Sequence, residues 1–137
     1  MILDASVAIK WLMKGEEYEQ EALAILMRHI EKRDMIIVPE LIHLEIANTL
    51  ATKTMLSERQ IHESLIVIFQ MNLEIYQPRH EDIALSAKLA KQYKTSVYDM
   101  LYAVIAKINK MTLVTADEAF IRKTSFSFVK HIKSFAL

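Results

Sequence analysis

Short apolar runs alternate with longer segments of helical periodicity along the whole sequence, beginning with Ile2-Leu3 and recurring at Met35-Ile36-Ile37-Val38, Leu73-Glu74-Ile75-Tyr76, Met111-Thr112-Leu113-Val114 and near Phe126 to Ile132. Strands separated in this way pair in parallel, because each crossover needs a helix and the helices then cover the faces of the sheet. The pattern predicts an α/β fold, a three-layer α/β/α sandwich around a central parallel sheet. With 137 residues the chain fits a single domain spanning 1–137, since domains usually run to roughly 100 to 200 residues.

The intervening segments have distinct signatures. A short helical pattern runs through Val7, Ile9, Trp11 and Leu12 and breaks at Gly15. Glu17 to Arg33 carries Ala22, Leu23, Leu26, Met27 and Ile30 at three- and four-residue spacing, predicting an amphipathic helix with that face inward. Pro39 suits the first turn of a helix reaching about Thr52, which places Glu45 inside it. Ser57 with Gln60 reads as a capping box opening a helix to about Met71. Glu81 to Tyr93 is a further amphipathic helix, and Ser96-Val97-Tyr98-Asp99 opens one whose body, Met100 to Ile108, is almost wholly apolar, as expected of a buried helix.

Composition removes several chemistries. The absence of cysteine excludes disulfides, thiolate nucleophiles and thiolate zinc sites, so any metal must sit on oxygen or imidazole. A single glycine leaves no room for a Walker-type loop or a dinucleotide fingerprint. Seventeen basic and seventeen acidic residues cancel, so contact with phosphates must come from local patches or a bound cation. Apolar residues make up 53% of the chain, enough to expect a second copy or a partner on part of the surface. The longest central apolar run, Leu65 to Phe69, is far short of a membrane span, and no signal-peptide pattern opens the chain, so a cytoplasmic protein is expected.

Four acids stand where the apolar pattern would not put them: Asp4 after the first strand, Glu45 within a helix, Asp99 at the head of the buried helix and Asp117 after the fourth strand. Carboxylates gathered in one place disfavour one another's ionised form, and a hard divalent cation with oxygen ligands removes that conflict. Each acid also has a plainer reading. Asp4 and Asp117 fit N-caps, Asp99 fits the reciprocal partner of Ser96, and Glu45 fits a surface ion pair. The five histidines show no metal-ligand spacing. Lys10, Trp11 and Lys14 are close enough to the first acid to touch RNA, although Trp11 fits a core position equally well, and the eight methionines fit core filling.

The segments Ile2 to Val7, Pro39 to Leu50, Ser96 to Ala106 and Leu113 to Asp117 together resemble, in order and spacing, the motifs of PIN-domain nucleases, most nearly the VapC-like toxins of prokaryotic toxin–antitoxin pairs. The resemblance covers nearly the whole chain. It implies a metal-dependent endoribonuclease with Asp4, Glu45, Asp99 and Asp117 at the carboxyl end of the sheet around one or two Mg²⁺ or Mn²⁺ ions. Asp4 and Asp99 would be direct ligands, Glu45 and Asp117 would hold coordinated water or a second ion, and Ser6 and Thr115 would support the acids by hydrogen bonding. The implied reaction hydrolyses an RNA phosphodiester to a 5′-phosphate and a 3′-hydroxyl. An antitoxin partner and a homodimer are implied as well. The first strand has only Ile2 and Leu3 before Asp4, so it is expected to be short or trimmed. Two other readings compete: a PIN-domain RNA-processing nuclease without antitoxin, and a non-catalytic phosphoacceptor or binding domain. The phosphoacceptor expects paired acids near the first strand, where Ala5 and Ser6 follow Asp4 instead.

Overall fold

Ile2 and Leu3 are completely buried because the strand they form, β1 (Ile2–Leu3), lies at the centre of the sheet. The computed structural model describes residues 1–135. After β1 come α1 (Ala5–Ala8), a 3₁₀ turn (Ile9–Trp11), α2 (Glu19–Ile30), β2 (Ile37–Pro39), α3 (Leu41–Lys53), α4 (Glu58–Gln70), β3 (Glu74–Tyr76), α5 (His80–Tyr93), α6 (Val97–Ile108), β4 (Leu113–Thr115), α7 (Glu118–Thr124), β5 (Val129–His131) and a last 3₁₀ turn (Ile132–Phe135). Five parallel strands stand in the order β3-β2-β1-β4-β5, flanked by seven helices among the described residues, which is the α/β sandwich the alternation predicts. No helix among these residues is long and apolar enough to cross a membrane.

The core is built from helical faces laid on this sheet. Ile42, Ile46 and Leu50 repeat every four residues along α3 and are fully buried, while α6 is buried on every side from Met100 to Ala106. The Ser57–Gln60 capping box forms as expected: Gln60 N–H donates to Ser57 Oγ at 3.2 Å and Ser57 N–H to Gln60 Oε1 at 2.8 Å.

Two local expectations change. The inward face of α2 is Ala22, Ile25 and Leu26, whereas Leu23, Met27 and Ile30 are 39%, 50% and 56% exposed. The indole N–H of Trp11 bonds the Ala22 carbonyl at 2.8 Å, which fixes how α2 is turned against the chain before it. Pro39, expected in the first turn of α3, instead ends β2, where it stands opposite Tyr76. Its missing N–H costs no ladder bond to β1, because that two-residue strand reaches only Ile37 on this side.

A chain with one glycine must turn its helix ends with other residues. Lys32, Asn72, Lys94, Lys110 and Ser125 follow α2, α4, α5, α6 and α7 within two residues, all in the left-handed region with φ between 50° and 58°.

Candidate active site

Chain order places a crevice at one point of the sheet. From β1 the chain moves outward to β2 and β3, and from β4 it moves the other way to β5, so the helices leaving β1 and β4 diverge above the carboxyl ends of these two neighbours. Asp4 is the first residue beyond β1, and Asp117 lies two beyond the end of β4.

Two hydroxyls tie these loops together. Asp4 caps α1, accepting from the Ser6 N–H at 3.0 Å and from the Ser6 hydroxyl at 2.5 Å. Ser6 Oγ accepts from the Ala116 N–H at 2.9 Å and stands 3.4 Å from Thr115 Oγ1. Thr115 Oγ1 accepts from the Asp117 N–H at 2.9 Å, and Asp117 Oδ1 caps α7 through the Phe120 N–H at 2.9 Å. The plain capping roles of Asp4 and Asp117 are therefore filled, at the carboxyl ends of the two central strands. For Asp99 only half of the capping exchange forms: its N–H donates to Ser96 Oγ at 3.0 Å.

Glu45, on α3, and Asp99, at the start of α6, come within electrostatic reach of Asp4. Burial, with a smaller contribution from Asp99, pushes the Asp4 carboxyl up to about 6 against the pull of the Ser6 and Thr115 hydroxyls. Burial also raises Glu45, and the charges of Asp99 and Asp4 raise it further. Asp117 is not among the charges that act on Glu45. A donor that the sequence does not flag, the Tyr102 hydroxyl, hydrogen-bonds Glu45 Oε2. Burial and then the Glu45 charge hold this phenol protonated far above its usual range. The signal in the sequence is its spacing, three residues after Asp99 and so on the same side of α6.

Among the described residues no three His, Asp or Glu side chains stand close enough to hold one ion between them. Asp4, Glu45 and Asp99 are close enough to repel, yet do not form a tight cage. Such a donor set fits Mg²⁺ in the way that ion is usually bound, by one or two carboxylates with much of its water retained.

The lysine and indole after the first acid have structural partners. Lys10 is buried, its Nζ 3.7 Å from a Glu16 carboxylate oxygen, and Trp11 is held by Ala22, so the RNA contact weighed for these two is replaced by packing. Lys14 is exposed.

A PIN domain matches residues 1–125, and the chain belongs to the PIN domain family. The fold is shared with a solved structure, the crystal structure of PAE2754 from Pyrobaculum aerophilum, at a TM-score of 0.72 and 18% identity, covering 97% of this chain and 90% of that one. No curated protein matches the sequence. PIN domains are in general Mg²⁺- or Mn²⁺-dependent nucleases acting on RNA or DNA.

Proposed function

We propose that this PIN domain, spanning 1–137, is a metal-dependent endoribonuclease and the VapC-like toxin of a toxin–antitoxin pair, with Asp4, Glu45, Asp99 and Asp117 as its catalytic acids. The observation that carries the reading is the mutual repulsion of Asp4, Glu45 and Asp99 above the β1–β4 crevice: the charges acting on half-buried Glu45 are both negative. Buried carboxylates without compensation oppose folding, so a site that keeps three of them within reach of one another is built to attract positive charge.

A bound divalent cation supplies two things there, neutralisation of the scissile phosphate and a lowered pKa for water. Asp4, oriented by both Ser6 donors, and Asp99 hold the cation. Glu45 and Asp117 would hold water coordinated to that cation or a second ion, and Ser6 and Thr115 keep the two loops in register. In-line attack of water then leaves a 5′-phosphate and a 3′-hydroxyl. An antitoxin would inhibit by placing an arginine against the same acids, since a guanidinium partly replaces the cation's charge. A homodimer is proposed as well, and the exposed apolar side chains of α2 support it.

The test is cleavage of single-stranded RNA with Mn²⁺ or with excess chelator, together with mapping of 5′ ends in cellular RNA after induction of wild type and of Asp4→Asn. New ends that depend on Asp4, and cleavage that needs the ion, are expected. Cleavage persisting in chelator sinks the metal reading, and growth unaffected by induction sinks the toxin role.

A further inference from the structure

Tyr102 is 1% exposed, in the middle of a helix whose buried stretch, Met100 to Ala106, is otherwise entirely apolar. A buried phenol needs a partner for its hydroxyl, and a nearby backbone carbonyl would be enough for stability. The partner is instead a carboxylate on another helix, Glu45, 57 residues away. This choice brings a charge to the edge of the core, where burial works against it.

We propose that Tyr102 is a positioning residue for Glu45, holding Oε2 so that Oε1 is turned toward the cation site shared with Asp4 and Asp99. The role rests on the metal-dependent reading above. Asp99 and Tyr102 lie three residues apart on α6, so one turn of one rigid helix supplies an acid of the site and the donor that orients a second acid from α3. A glutamate carries three rotatable side-chain bonds, and fixing it before the ion arrives removes an ordering cost from binding. Partners of this kind, which orient the groups holding an ion or its water, commonly change affinity by about 10- to 100-fold when removed.

The experiment is calorimetric titration with Mn²⁺ of wild type, Tyr102→Phe, Glu45→Gln and the double variant, with circular dichroism as the check on folding. Phenylalanine keeps the ring in place and deletes only the hydroxyl. Tyr102→Phe is expected to bind Mn²⁺ about 10- to 100-fold more weakly than wild type, and to add nothing in the Glu45→Gln background. Unchanged Mn²⁺ affinity in Tyr102→Phe, or an equal loss in both backgrounds, overturns the role and leaves the metal reading standing. A wild type that binds no Mn²⁺ removes the metal reading and this role with it. Should Tyr102→Phe fail to fold, the near-ultraviolet tyrosine spectrum decides: Mg²⁺ should perturb it in wild type and not in Glu45→Gln, and no perturbation in wild type overturns the proposal.

Discussion

The hydroxyls of Ser6 and Thr115 stand 3.4 Å apart although 109 residues separate them, and through them the loop carrying Asp4 is fastened to the loop carrying Asp117. Ser6 makes three hydrogen bonds: it donates to Asp4 from its hydroxyl and its backbone, and it accepts from Ala116. Ser6→Ala strands the half-buried Ala116 N–H and strips Asp4 of one donor. A loss of about 1 to 3 kcal/mol in urea denaturation is expected, together with slower RNA cleavage, because each group left unpaired is charged its desolvation. A variant as stable and as active as wild type refutes the fastening.

Asp99 adds negative charge to both Asp4 and Glu45. Asp99→Asn should therefore melt higher than wild type in chelator, while millimolar Mn²⁺ should raise the wild-type melting temperature and do much less for the variant. An ion that binds only the folded state at roughly 100 times its dissociation constant adds about 2.7 kcal/mol. Paired thermal melts check this. A variant that melts lower in chelator, beside a wild type indifferent to Mn²⁺, removes Asp99 from the site.

The raised Asp4 carboxyl gives metal-free stability an unusual pH dependence. In the folded chain Asp4 keeps its proton to about pH 6, against an ordinary value of 3.8 when unfolded. Between these values the folded state binds the extra proton, so this contribution favours folding below about pH 4 and is lost as pH rises to 6. Its span is at most about 3 kcal/mol, reduced by the part of Asp4 that stays open to solvent. Glu45, raised as well, acts in the same direction. Denaturation in chelator from pH 4 to 7 should show wild type losing stability relative to Asp4→Asn across this window. A constant difference between the two proteins would falsify it.

Lys94 turns the chain out of α5 at φ 57° and ψ 46°, with its N–H bonded to the Ala90 carbonyl. The left-handed conformation strains an L-residue by about 1 to 2 kcal/mol, part of which glycine gives back through its freer unfolded chain. Lys94→Gly should stabilise by up to about 1 kcal/mol, seen as a melting temperature a few degrees higher. The Lys94 carbonyl that accepts from Lys123 Nζ remains in the variant. A lower melting temperature counts against the strain.

The sheet and its order of elements were legible because period and punctuation agree: Gly15, the Ser57–Gln60 pair and the apolar body of α6 all mark real boundaries or burial. The face of α2 was not, because its apolar residues cover more of the helix than the core accepts, and a bond from Trp11 outside the helix selects which side turns inward. Pro39 misled in another way, since its exclusion from strands weakens where the neighbouring strand has already ended. Asp4, Glu45 and Asp99 could be singled out because an acid stands out among apolar neighbours. Tyr102 could not, because an aromatic inside an apolar helix reads as packing, and its hydroxyl acquires meaning only when α3 brings Glu45 against it.

The place of β1 has a consequence for synthesis on the ribosome. Ile2 and Leu3 emerge well before their neighbours in the sheet, and their pairing with Leu113 and Val114 waits for a segment translated about 110 residues later. At roughly 5 to 20 residues per second, that is on the order of 5 to 20 seconds during which the middle of the sheet has an open side. The crevice above β1 and β4 closes only after Thr115 has been made, so a nascent chain carries Asp4, then Glu45, through much of the synthesis of this domain, and Asp99 only briefly, without the wall that completes the crevice.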